Sequence, residues 1–123
     1  MLTYKYDKSK NLMEFMIGEK VNKEDYEKVM DQFREDLQEA EYVNVLELVT
    51  GFEGIDASAL FEDIKESILS VPELNQKVKK AAVVADQKWI QSFASVINPI
   101  VEIDIKSFSP EKEEAARQWL NSH

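Results

Sequence analysis

The chain has 123 residues, of which 44% are hydrophobic and 32% charged. That is the size of one domain on a scale of roughly 100–200 residues each, and the balance excludes both a disordered polyampholyte and a membrane-embedded protein. The formal net charge is −9 and Arg34 and Arg117 are the only arginines, which argues against nucleic acid, because phosphate binding needs concentrated cations and favours the guanidinium fork. Cysteine is absent and the only histidine is His123. A disulfide framework, a thiol nucleophile, a Ser-His dyad and a His/Cys metal site are thereby excluded, and no metal or other cofactor is expected.

Met1–Tyr6 holds no apolar run of signal-peptide length. The longest uninterrupted apolar stretch, Ala81–Ala85, is far below the ~20 residues that span a bilayer. The expectation is a soluble, cytoplasmic protein.

Leu2, Tyr4 and Tyr6 alternate with polar residues, as do Met13, Phe15 and Ile17, and the polar run 7–11 separates them. This pattern predicts an antiparallel hairpin, ended by Gly18. Asn22 then caps a helix with Glu24 and Asp25 near its positive end. Tyr26, Val29, Met30, Phe33 and Leu37 share its apolar face, and Glu27, Asp31, Glu35, Asp36 and Glu39 its solvated one. Val43–Val49 is β-branched and mostly apolar on both parities, as in a strand covered on both sides.

Gly51–Gly54 reads as a turn. Asp56 caps a second helix, with Leu60, Phe61, Ile64 and Ile68 inward, and Pro72 follows its end. Ala81–Ala85 is a second buried strand. Asp86 caps a third helix with Trp89, Ile90, Phe93, Val96 and Ile97 on one side, stopped at Asn98-Pro99. Ile100–Ile105 alternates, with Glu102 and Asp104 outward, and reads as an edge strand. Ser109-Pro110-Glu111 starts a last helix with the stripe Ala115, Ala116, Trp119 and Leu120. The expected fold is α/β: a single layered domain with a mixed five-stranded sheet, an N-terminal antiparallel hairpin and mainly parallel strands after it, and four helices in ββαβαβαβα order.

Phe52-x-Gly54, Ala59–Asp63, Ala82-Val83-Val84-x-Asp86-x-x-Trp89, Phe108, Ala115 and Trp119-Leu120 together resemble the SpoIIAA-like family, whose fold is related to the STAS domains of anti-anti-sigma factors. The resemblance implies a non-enzymatic α/β domain that binds a regulatory protein partner. In STAS regulators a serine in the turn after the third strand is phosphorylated by a partner kinase. The corresponding stretch here is Asp56-Ala57-Ser58-Ala59, which keeps one serine and replaces the glycine by Ala59. The comparison also extends to lipid-carrying folds with a mobile helical lid.

The implied partner-binding turn is Gly51, Phe52, Gly54, Asp56 and Ser58, with Ser58 the candidate for phosphorylation. A first-turn serine favours added negative charge through free amides and the helix dipole. The plainer reading is that Ser58 helps satisfy the helix start, and Glu53, Asp56, Glu62 and Asp63 would repel a phosphate. A second candidate is an apolar pocket of Phe52, Leu60, Phe61 and Trp119 under a lid bearing Trp89, Ile90, Phe93 and Ile97. As plain core the same stripe covers the sheet. Exposing it would cost about 8–15 kcal/mol, so a lid opens only where a ligand, lipid or partner covers it again.

Lys77, Lys79 and Lys80, with Lys88 beyond, could bias one end toward an anionic surface or an acidic partner, so membrane contact is peripheral at most. Glycines 51 and 54 are explained by turn geometry, and Asp86 by capping. No pair of carboxylates is placed for acid–base work, so catalysis is not expected. Edge strands allow a homodimer by strand addition, though Glu102 and Asp104 oppose it, and a monomer is equally consistent.

Overall fold

A computed structural model describes residues 2–18, 23–49, 76–86 and 104–122. Strand β1 (Leu2–Asp7) pairs antiparallel with β2 (Leu12–Ile17), from Leu2 opposite Ile17 to Asp7 opposite Leu12. The polar link closes locally. Asp7 Oδ1 accepts from the Ser9 amide at 3.0 Å and from its hydroxyl at 2.6 Å. Asn11 takes the left-handed conformation at φ 52°, which asparagine tolerates better than most residues.

Helix α1 (Lys23–Glu39) follows the expected period. Phe33 and Leu37 are buried, while Tyr26, Val29 and Met30 are half-buried. Its predicted cap, Asn22, lies outside the described residues. One expectation on the outer face fails: Asp36 is half-buried, because its Oδ2 accepts from the Tyr4 hydroxyl at 2.8 Å and its Oδ1 from Gln32. That bond ties α1 to the first strand.

Strand β3 (Val43–Val49) is interior, with β2 on one side and β4 (Val78–Val84) on the other, both parallel. The fourth strand begins at Val78 rather than Ala81, because buried Val78 pairs with Val43. Strand β5 (Asp104–Phe108) pairs parallel with β4 and lies at the edge, as expected of this segment. It runs to Phe108 rather than ending at Ile105, since Ala82, Val83 and Val84 offer partners to Lys106, Ser107 and Phe108. The sheet order is β1-β2-β3-β4-β5, one antiparallel pair followed by three parallel ones.

The chain then makes a 3-10 turn at Pro110–Lys112 before helix α2 (Glu113–Asn121). Ser109 holds the expected cap position, extended at φ −72° and ψ 160°, but its side chain makes no capping bond. The Lys112 amide donates instead to the Ser109 carbonyl at 2.9 Å, which tightens the entry into a 3-10 turn. In α2, Ala116 and Leu120 are buried and Trp119 half-buried, while Ala115, expected inward, is exposed.

The two helices cover opposite faces of the sheet. Under α1 lie Met13, Val43, Val45 and Val78 with Phe33 and Leu37. Tyr4, Phe15 and Phe33 add tilted and edge-on ring contacts at 5.1–6.2 Å there. Under α2 lie Leu12, Leu46, Leu48, Ala82 and Val84 with Ala116 and Leu120. Among the described residues the order is thus β1-β2-α1-β3-β4-β5-α2, with two α-helices rather than the four of the expected ββαβαβαβα order. The expected second and third helices, starting at Asp56 and Asp86, fall in 50–75 and 87–103, outside the described residues.

Candidate functional site: the carboxyl edge of the sheet and its flanks

Parallel pairing brings the carboxyl ends of β2, β3, β4 and β5 to one rim. Ile17 stands beside Val49, Leu48 beside Val84, and Val84 beside Phe108. The order of the described strands does not reverse along the sheet, so the rim lacks the topological switch point at which ligands of open α/β sheets bind. The chain leaves β3 at Val49, the inner strand of that rim, and runs on in sequence to Gly51. The turn Gly51, Phe52, Gly54, Asp56 and Ser58 lies outside the described residues. So do Leu60, Phe61, Trp89, Ile90, Phe93 and Ile97.

Of the residues singled out from the sequence, Trp119 is described. Its ring lies 6.2 Å from that of Phe108, tilted by 52°. The Lys80 ammonium stands 5.3 Å from the Trp119 ring centroid and the Lys106 ammonium 5.8 Å. A cation at that range is attracted to the ring's negative face. Trp119 is therefore an anchor that draws β4, β5 and α2 together.

The basic cluster has structural work of its own. Lys77 Nζ donates to the carbonyls of Leu37 at 2.7 Å and Gln38 at 3.0 Å, at the end of α1. Lys80 Nζ donates to the carbonyls of Trp119 at 3.2 Å and Ser122 at 2.8 Å, at the end of α2. Each lysine donates to carbonyls at the carboxyl end of a helix and meets the negative end of its dipole; the Trp119 carbonyl also accepts from the Ser122 amide at 3.2 Å. Two of the three clustered cations are thus committed to the fold, and Lys79 is exposed.

Asn44 joins three elements. Its amide donates to the Asn11 carbonyl at 2.8 Å, linking the hairpin turn to β3. Its side-chain Nδ2 donates to the Leu120 carbonyl at 2.7 Å, and its Oδ1 accepts from the Lys80 amide at 3.2 Å. The register between β3 and β4 shifts beside Asn44, where Val43 pairs with Val78 but Val45 with Ala81. The Asn44 side chain supplies the Lys80 amide with a partner at that irregularity.

Beside it lies an open groove of about 270 Å³, between the hairpin turn and α2, lined by Lys10, Asn44, Glu114, Arg117, Gln118 and Asn121 among others. Arg117 is paired with Glu14 of β2 and with Glu113, one helical turn back, at 3.2 Å. The groove therefore presents charges of both signs and commits to neither.

The described residue that sequence reasoning missed is Glu47. It stands in the central strand on the α1 face, between Phe15 and Val83 in register and between Val45 and Val49 along the strand. The residue is half-buried, yet its Oε2 is shut off from solvent and has no hydrogen-bond partner. Burial pushes the carboxyl up to about 7. A single acid inside the Val-x-Val-x-Glu-x-Val face of VNVLELV was the available signal. Among the described residues, no three side chains group as metal ligands, and no helix is long and apolar enough to cross a membrane.

Comparison with known proteins agrees with this architecture. A search of curated proteins finds no match. Among solved structures, the chain is similar to an uncharacterised protein of the DUF3478 family with a SpoIIAA-like fold from Shewanella loihica PV-4. The two share 20% identity and a TM-score of 0.69, over 98% of this chain and 92% of the other. The family model described as SpoIIAA-like matches residues 12–121, from the first residue of β2 to the last of α2. This chain belongs to the SpoIIAA-like family.

Proposed function

We propose that the protein is a regulatory interaction module without catalytic chemistry of its own, and that it docks a protein partner through the turn Gly51–Ser58 and the residues that follow. The observation that carries this reading is the position of β3, an interior parallel strand whose carboxyl end at Val49 feeds that turn. Family membership supports it, as does a chain without cysteine and with a single histidine at its last residue. Ser58 is the point at which phosphorylation would act on docking, since a phosphate there adds charge to the contacting surface.

Native mass spectrometry of the protein purified from its own host tests the reading. A second protein chain that is present with wild type and lost with Phe52→Asp is the expected result. A bound lipid or other apolar molecule with no second chain would instead favour the pocket under the Asp86–Asn98 segment, and would overturn the docking reading. A mass increment of one phosphate that disappears with Ser58→Ala would establish the switch.

A further inference from the structure

We infer that Glu47 is a proton-operated element of the central strand, seated against the sheet while neutral and opposed to it when ionised. This goes beyond the docking of a partner and does not depend on it. The geometry is that of a carboxyl in a place built for a hydrocarbon. Along the strand its neighbours on that face are Val45 and Val49, and across it Phe15 and Val83. Oε2 receives no hydrogen bond and no water-accessible surface. A neutral carboxyl loses modestly from such a site, whereas a carboxylate also gives up the hydration of Oε2 with no hydrogen bond to replace it.

Among the described residues no charge offsets this cost. The titratable groups on this side of the described residues are Tyr4 and Tyr6 of β1, Tyr26, Asp36 and Glu39 of α1, and Lys77, whose ammonium is bonded to the Leu37 and Gln38 carbonyls; Tyr4, Tyr6, Asp36 and Glu39 act on one another. Glu14, Lys80 and Lys106 belong by register to the opposite face, where Arg117 and Trp119 meet them. Desolvation alone therefore moves Glu47, from 4.5 to about 7.

The sign follows from linkage. A carboxyl raised in the folded state binds more protons folded than unfolded between the two values. Its stabilising contribution is complete below 4.5 and is lost as pH rises through about 7. Between pH 6 and pH 8 the unfolding constant should rise about tenfold from this one group. Position gives the effect its reach. Glu47 lies in the middle strand of the five, two residues before the chain leaves the sheet at Val49.

Urea unfolding of wild type and Glu47→Gln at pH 6 and pH 8 provides the test, with the carboxyl of Glu47 followed by carbon-13 NMR. The expected result is an unfolding constant that rises about tenfold more in wild type than in the variant, together with a Glu47 midpoint near neutrality. Equal pH dependence in the two proteins would overturn the inference. So would a Glu47 carboxyl that titrates in the ordinary range. Should the glutamine variant fail to fold, the NMR midpoint of wild type decides alone.

Discussion

Replacing Asn44 by valine opposes two physical expectations that differ in sign. Valine is the better strand residue, worth up to about 1 kcal/mol on the strand-propensity scale, and its neighbours Val43 and Val45 invite it. The structure argues the other way. Asn44→Val removes the donor to the Leu120 carbonyl, now bonded at 2.7 Å, and the acceptor for the Lys80 amide, at 3.2 Å. Each stranded backbone group costs about 1–3 kcal/mol when sealed from water. Both bonds are only partly buried, so the lower half of that range applies. With the gain in strand propensity subtracted, the variant should be less stable by about 1–3 kcal/mol. For a chain of this size that lowers the melting temperature by roughly 3–10 °C. Urea unfolding with matched slopes would measure it. A variant as stable as wild type, or more so, would refute the claim that this side chain satisfies the irregularity between β3 and β4 and the end of α2.

Leu46 is fully buried in the central strand, whereas Met16 is 40% exposed, so Leu46→Ala should cost about 2–5 kcal/mol in chemical unfolding and Met16→Ala well under 1 kcal/mol, about the level of surface substitutions. The Tyr4 phenol, half-buried and donating to Asp36, is held well above the ordinary phenol range, so absorbance titration should find Tyr4 still protonated where free tyrosine, near 10, has ionised. That contribution is complete below about 10 and is lost only as pH rises further, and Tyr4→Phe should remove it at a cost of about 0.5–1.5 kcal/mol. Arg117 is partly exposed in its pairs with Glu14 and Glu113, so Arg117→Ala should change stability by about 1 kcal/mol or less, and added salt should shrink the difference.

The hairpin, α1, the interior strand and the mixed sheet were legible because each follows from hydrophobic period and turn chemistry. Leu2-Tyr4-Tyr6 against Met13-Phe15-Ile17 specifies a pleated pair, and Phe33 with Leu37 marks the inner face of α1. The departures share a cause, which is that tertiary partners override local pattern. Asp36 reads as solvated from helical period alone, yet a tyrosine on β1, 32 residues away in sequence, draws it inward. Ser109 carries the sequence mark of a cap, but the backbone of Lys112 closes the turn first. Lys77 and Lys80 read as a basic patch because a sequence does not show where helices end in space, and both ammoniums are spent on helix carbonyls. Glu47 was hidden for the opposite reason: a strand with five apolar residues absorbs one acid into the pattern without announcing its isolation. The proposed docking turn follows in sequence from the carboxyl end of β3 at Val49.

Docking through that turn is testable with a photo-crosslinking amino acid placed at Phe52 or, separately, at exposed Met16, in protein expressed in its own host. A protein adduct formed from position 52 and absent from position 16 is the result the account requires. Adducts of the same protein from both positions, or from position 16 alone, would contradict it.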